Sequence, residues 1–187
     1  GKKSLEGIPT KEPVFQLPAL WIPEKKKEEA QFAGYTVVDI PTIMATHLTE
    51  IIRAHADELL SRQDVQKLLD RLAQSSPKVV EELTPSLVSL GVIQRVLQNL
   101  LHERVSIRDL LTIMETLADY APSNKDPEIL TEYVRQRLAR SITKQLETSE
   151  GVLPFITIDQ KIEDILRDKI QRADQGAYLS LEPNLAQ

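Results

Sequence analysis

Apolar residues recur along this chain with two different periods, and the changes between them predict its elements. Val14, Phe15, Leu17, Leu20, Trp21 and Ile22 make a dense strand-like run in which Pro18 removes one ladder donor, so an edge or bulged strand is expected. The residues before Pro13 are polar, contain Gly7 and Pro9, and read as a linker or tail. A short helix follows from Glu24 to about Ala33, and Gly34 can end it in a left-handed turn. Tyr35 to Val38 is aromatic and β-branched and predicts a second strand, giving a β-α-β fragment over 12–39. Two short strands and one helix bury too little apolar area to stand alone.

From Pro41 the period becomes helical. Met44, Leu48, Ile51, Ile52, His55 and Leu59 fall three and four residues apart and align on one stripe, with Thr42 as a start signal. The next helix is expected from about Asp64 to Gln74, with Val65, Leu68, Leu69 and Leu72 inward, Ser61 near its cap and Ser75, Ser76 and Pro77 ending it. A short helix follows from Pro77 to Glu82. Thr84-Pro85 then predicts a capped start for the stripe Leu87, Leu90, Ile93, Val96, Leu97, Leu100 and Leu101. Ser106 and Asp109 resemble a capping box opening a helix with Leu110, Ile113, Met114 and Leu117, closed by Pro122. Asp126-Pro127 starts a last long helix with Ile129, Leu130, Tyr133, Val134, Leu138 and Ile142 inward. After Lys144, Val152 to Ile158 is strand-like, and Asp159 can cap a helix carrying Ile162, Ile165, Leu166 and Ile170. Residues 176–187 have little periodicity and look like a truncated edge. The expected fold class is α+β, predominantly helical: a partial β-α-β fragment, a central helical subdomain and a partial C-terminal α/β subdomain.

Composition narrows the function. At 187 residues, with 41% hydrophobic and 27% charged residues, the chain can build one or two packed domains, and 4% aromatics fits an aliphatic core. A net charge of −5 offers no general attraction to phosphate backbones or anionic lipid, so nucleic acid is not expected as a partner. The basic run of Lys25, Lys26 and Lys27 is flanked by Glu24, Glu28 and Glu29 and reads as a solvated helix face. Cysteine is absent, which removes disulfides, thiolate nucleophiles and cysteine-bound zinc. No apolar run approaches the roughly 20 residues that span a bilayer, and GKKSLEGIPT lacks a signal-peptide centre.

No constellation for chemistry is readable. His47, His55 and His102 lie outside any HExxH arrangement, and His55, on the apolar stripe, reads as a core histidine. The six glycines form neither a GxGxxG nor a GxxxxGK[ST] cradle. The adjacent acid pairs Glu28-Glu29 and Glu81-Glu82 point in different directions on a helix; only a noncontiguous acid pair stays open. No catalytic residue, cofactor or metal ligand is therefore expected. From the residues alone, both burial in a core and capture of a partner account for the Phe in EPVFQLPALWIP.

VIQRVLQNLLHERVSIRDLLTIMETLADYAPSNKDPEILTEYVRQRLARSIT, Val92 to Thr143, decides the direction. With EPVFQLPALWIP, GYTVVD and ATHL before it, this stretch resembles the cytoplasmic domain of the FlhA/LcrD/InvA family of type III secretion export-gate proteins. The resemblance spans nearly the whole chain and weakens after about Leu146. It implies four small subdomains behind a transmembrane region. On that pattern 1–11 is linker, 12–39 part of the second subdomain, 40–59 a helix of the first, 60–139 the helical third and 140–187 an incomplete fourth. The membrane helices and most of the first subdomain would lie outside this sequence, so the full protein would sit at the cytoplasmic side of the bacterial inner membrane.

The resemblance also implies a noncatalytic docking platform of the flagellar export gate. Its partners would be export chaperones with bound late substrates and other export-apparatus proteins, and a ring of identical subunits would form in the full protein. Chaperones of such proteins dock in a hydrophobic dimple between the first two subdomains. Glu12, Phe15 and Thr46 match its functional positions, with Leu17, Val38, Ile43 and Ala45 as apolar lining; Glu12 replaces the Asp of the best-known members. Trp21 is expected to anchor the fold. The alternative is a ring-assembly module of a virulence-type export gate with no docking site of its own.

Overall fold

Gly7 is the first residue whose size the structure dictates: a Cβ there would lie 2.7 Å from the Trp21 carbonyl oxygen and 3.0 Å from Cγ2 of Ile22. Two strands meet at that close approach. In the computed structural model, which describes residues 5–173 and 176–180, β1 (Ile8–Lys11) pairs antiparallel with β2 (Pro18–Trp21), with Ile8 opposite Trp21 and Lys11 opposite Pro18. The segment expected as a tail is therefore a strand. Its Gly7 and Pro9 serve a hairpin, in which each strand has an open edge that tolerates proline.

A single 3-10 turn (Glu24–Lys26) leads into α1 (Lys27–Phe32), and Lys26 ties it back with an ion pair to Glu6 at 3.2 Å. Gly34, at φ 83°, ends α1 as its sequence position predicts, with Tyr35 N–H donating to the Ala30 carbonyl at 3.0 Å. Tyr35 to Val38 forms no strand, because β1 and β2 pair with each other and offer this segment no ladder. The order is thus strand, strand, helix, where β-α-β was expected.

Helix α2 (Ile40–Ala54) is capped by Asp39, which accepts from Thr42 N–H at 2.9 Å; Thr42 itself is the third residue of the helix. Its stripe is amphipathic as expected, yet no residue of α2 is buried: Met44, Leu48, Ile51 and Ile52 are all exposed. His55, expected in a core, is an exposed residue at the break before α3 (Ala56–Leu59), its Nδ1 2.8 Å from Glu58 Oε1. The apolar spacing makes the helix; nothing among the described residues covers its stripe.

The core lies further on. Helices α4 (Arg62–Ser75), α5 (Pro77–Glu82), α6 (Leu90–His102), α7 (Leu110–Tyr120) and α8 (Pro127–Arg137) enclose an aliphatic cluster. Its fully buried members include Val65 and Leu69 from α4, Ile93, Val96, Leu97 and Leu100 from α6, Ile113, Met114 and Leu117 from α7, and Leu130 and Val134 from α8. Among the described residues no aromatic ring is fully buried here, although Tyr120 and Tyr133 stack at 4.0 Å beside the cluster. Burying each of these side chains contributes about 1.5–3 kcal/mol before conformational entropy is subtracted.

Caps set most helix starts. Ser61 and Asp64 form a reciprocal box at α4, and Asp126 with Pro127 starts α8. Two starts differ from expectation. Ser89, not Thr84, caps α6, because Thr84 and Pro85 belong to a wide turn over Leu83–Leu87 in which Thr84 is extended. Asp109, not Ser106, caps α7, since only its carboxylate accepts from a first-turn N–H, that of Thr112. The expected long last helix breaks at Leu138, and α9 (Ala139–Leu146) follows. Replacing Ser61 with Ala should cost about 1 kcal/mol in a chemical denaturation series. No change would mean that the box does not stabilise α4.

α6 also grips the end of α3. The Gln94 amide donates to the Leu60 carbonyl at 2.9 Å and that of Gln98 to the Asp57 carbonyl at 3.1 Å, satisfying acceptors that a four-residue helix leaves open. Asp57 lies 3.1 Å from His102 Nδ1. Burial pushes its carboxyl up, but hydrogen bonds from His102 and from backbone N–H groups outweigh this and hold it below the ordinary carboxylate range.

Contacts divide the chain after Ile142. In the second unit Thr148 accepts from Val152 N–H at the turn containing Gly151, and Asp159 caps α10 (Gln160–Lys169). β3 (Ile170–Ala173) then pairs antiparallel with β4 (Gly176–Leu179). Val152 to Ile158, expected as a strand, has no pairing partner among the described residues, and Phe155 and Ile156 stand exposed. Of the strands this unit does form, β3 begins at Ile170, expected on the helical stripe but lying just past the end of α10, and β4 falls in the stretch that carries little periodicity in the sequence. Residues 181–187 of the expected edge lie outside the described residues.

Candidate functional site

Six residues, Glu12 to Leu17, join β1 to β2, and the sequence closes them with local hydrogen bonds. Glu12 N–H donates to the Leu17 carbonyl at 2.8 Å, which extends the ladder by one rung, and Gln16 N–H donates to the Glu12 carbonyl at 2.9 Å. Gln16 sits in the left-handed region at φ 56°, and its side-chain amide donates to the Pro13 carbonyl at 3.2 Å. Both oxygens of the Glu12 carboxylate turn back on the same loop. Oε1 accepts from Val14 N–H and Oε2 from Phe15 N–H, each at 2.7 Å, the short distance expected of a charged acceptor.

The loop therefore engages its own polar groups and leaves its apolar ones outside. Phe15 is 69% exposed and Leu17 59%. An exposed Phe beside an exposed Leu on a tip whose backbone is tied down is unfavourable in water and suited to burial against another protein. Trp21 does not anchor a core: it is 43% exposed at the base of the hairpin, opposite Ile8. Its ring belongs to a two-stranded element too thin to enclose it.

The other candidate residues lie before and within the first turns of α2. Val38 is exposed, Ile43 half-buried, and Ala45 and Thr46 exposed. The Thr46 hydroxyl donates to the Thr42 carbonyl at 2.8 Å, which holds its rotamer and leaves its oxygen free to accept. Asp39, beside Val38, has its carboxyl held below the ordinary range by the hydroxyl and backbone N–H of Thr42. Glu12 and Phe15 are thus joined directly. No hydrogen bond or ion pair links Glu12, Phe15 or Leu17 to Val38, Ile43, Ala45 or Thr46 among the described residues.

Sequence reading missed β1, which fixes the ends of the loop, and Val14, whose N–H the Glu12 carboxylate holds. The signal for the loop was present: an acid followed by proline, with a further proline five residues on, marks a turn that a carboxylate can close. Elsewhere in the first unit, an open hollow of about 370 Å³ is lined by Asp57, Glu58, Arg95, Gln98, Asn99 and His102. No three His, Cys, Asp or Glu residues cluster to hold a metal ion among the described residues.

The profile of the FHIPEP family matches residues 1–187, the whole chain. The chain belongs to that family. Within the FHIPEP family it is 49% identical over 183 residues to the flagellar biosynthesis protein FlhA of Bacillus subtilis, covering 98% of this chain and 27% of that protein. It is 46% identical to FlhA of Escherichia coli, again over 98% of this chain and 26% of the relative. The chain thus spans about a quarter of the length of these curated relatives. Among solved structures, the Chlamydia pneumoniae CdsV and CdsO complex superposes with a TM-score of 0.81 at 29% identity, over 89% of this chain and 49% of that chain. The nonameric SctV-C of EPEC gives 0.75 at 29% identity, over 98% and 56%. The predominantly helical α+β architecture is therefore shared with both of these solved structures.

Proposed function

We propose that this chain is part of the docking platform of a flagellar type III export gate, receiving export chaperones with their bound substrates without performing chemistry itself. The observation that carries this reading is the exposed Phe15, mounted on a loop tied through Glu12 in a protein whose core is otherwise aliphatic. A ring side chain offers a large apolar area with few rotamers to immobilise, which is why aromatic anchors dominate partner binding. Leu17, Val38, Ile43 and Ala45 supply further apolar surface, and the Thr46 oxygen an acceptor. The high identity to flagellar FlhA proteins supports the flagellar assignment over a virulence one.

Ring formation enters the proposal from the nonameric relative, and contact with other export-apparatus proteins from the CdsV and CdsO pair. The subdomain division at 12–39, 40–59, 60–139 and 140–187 belongs to the same reading. So does a place at the cytoplasmic side of the bacterial inner membrane, with attachment supplied by a part of the protein outside this sequence. Among the described residues, no helix is long and apolar enough to cross a membrane.

Phe15→Ala tests the proposal. Titration calorimetry with a flagellar export chaperone carrying its substrate should show affinity falling by at least tenfold, the loss of a central anchor worth about 2 kcal/mol. Helicity and melting temperature should not change, because the ring packs on no core residue. Equal affinity for the variant and the parent chain would overturn the docking assignment.

A further inference from the structure

The VLQNLL run of α6, Val96 to Leu101, buries Val96, Leu97 and Leu100 in the core, and its two polar residues face different elements. Asn99 turns to α8, where its side-chain amide donates to the hydroxyl of the buried Thr131 at 3.2 Å. Gln98 turns to α3. Its amide group has two hydrogens to give and serves two carbonyls, those of Asp57 at 3.1 Å and Leu60 at 3.3 Å. Gln94, one turn earlier, donates to the same Leu60 carbonyl at 2.9 Å and accepts from Arg62 Nε at 3.4 Å. His102, one turn later, lies 3.1 Å from the Asp57 carboxylate. A spacing of four aligns these three side chains on one stripe beside α3.

Polar groups, more than apolar packing, attach the segment 40–60 to the bundle. Neither α2 nor α3 has a buried residue, and within 40–60 only Leu60 packs against the buried cluster. The ion pair of Glu50 with Arg104 is long, at 3.9 Å, and partly exposed, so it adds little. Between α3 and α4 stand two extended residues, Leu60 at φ −77° and ψ 98° and Ser61 at φ −82° and ψ 163°. They belong to neither helix and can absorb a change of direction, as hinge residues do.

We propose that Gln94 and Gln98 form a latch, which holds the arm made of α2 and α3 at one angle to the helical bundle and whose opening lets the arm turn about Leu60 and Ser61. Opening exchanges amide–carbonyl bonds for bonds to water at small net cost, whereas motion of α6 itself would break the aliphatic core. The arm therefore moves as a lever while the bundle stays rigid. Residues near its far end, Thr46 among them, swing with it whether or not a partner docks there.

Distances between spin labels test the latch. The chain has no cysteine, so Thr49→Cys on α2 and Glu115→Cys on α7 give two exposed label sites. The labelled 187-residue chain should show one narrow distance distribution. Gln94→Met/Gln98→Met keeps side-chain length and helix propensity, removes both amides, and should widen that distribution about twofold or add a second distance. Asn99→Ala, which cuts a bond inside the bundle, should lower the denaturation midpoint and leave the distribution narrow. An unchanged distribution in the double variant would overturn the proposal, and so would equal widening in Asn99→Ala.

Amide exchange separates a latch from a contact that merely stabilises. In Gln94→Met/Gln98→Met the Leu59 N–H, which donates to the His55 carbonyl at 3.3 Å, should exchange about tenfold faster, with protection across α7 unchanged. Faster exchange spread equally over α3 and α7 would mean that the two glutamines only support the bundle, and the latch would be refuted.

Discussion

Leu97→Ala is expected to lower the stability of the first unit by about 3 kcal/mol, with a fall in melting temperature of roughly 10 °C. Leu97 is wholly shielded from solvent on α6, in a cluster to which α4, α7 and α8 also contribute buried aliphatic side chains. Truncation removes three buried carbons and leaves a hole that rigid helices on several sides collapse into only partly. The contrast with α2 makes the measurement specific. Ile51 looks equally hydrophobic and lies on an equally regular stripe, but it is 44% exposed, so Ile51→Ala belongs among surface changes of within about 0.5 kcal/mol. Urea denaturation followed by far-UV ellipticity decides it. A loss below about 1 kcal/mol for Leu97→Ala would show that the buried cluster is not the stabilising centre of this unit.

The second large effect is expected at a residue with no side chain. In Gly7→Ala the new methyl would meet the Trp21 carbonyl oxygen at 2.7 Å, closer than nonbonded atoms tolerate, and a strand backbone cannot rotate away as a flexible side-chain end can. β1 must shift away from β2, at a cost of about 1–3 kcal/mol, confined to the hairpin. Two readouts should move together: amide exchange across Ile8–Lys11 and Pro18–Trp21 quickens, and chaperone affinity falls as in Phe15→Ala, because the tip loses its base. Far-UV helicity should stay constant. Retained protection in the hairpin would refute the pairing of Ile8 with Trp21.

Features legible in the sequence were those decided within a few residues. Ser61, Asp126 and Asp159 cap helices where their spacing predicts, Gly34 takes the left-handed turn, and the stripes on α4, α6, α7 and α8 are the buried ones. Features decided at a distance were not legible. Whether Tyr35 to Val38 or Val152 to Ile158 becomes a strand depends on another strand being free beside it, which composition does not encode. The stripe of α2 shows the same limit from the other side, since periodicity states which face is apolar but not what covers it. At the hairpin tip the residue types were identified as candidates, yet dense apolar sequence around Phe15 suits core and surface alike. The exposure of the ring distinguishes them, on a loop that closes through Glu12 onto the second and third residues beyond the acid.

The placement of aromatic rings governs how unfolding can be watched. With the single indole on β2 and the stacked pair Tyr120 and Tyr133 on α7 and α8, fluorescence excited selectively at tryptophan reports the two-stranded ribbon, while the melting of the bundle registers in circular dichroism. A perturbation that silences one signal and spares the other localises itself without any label.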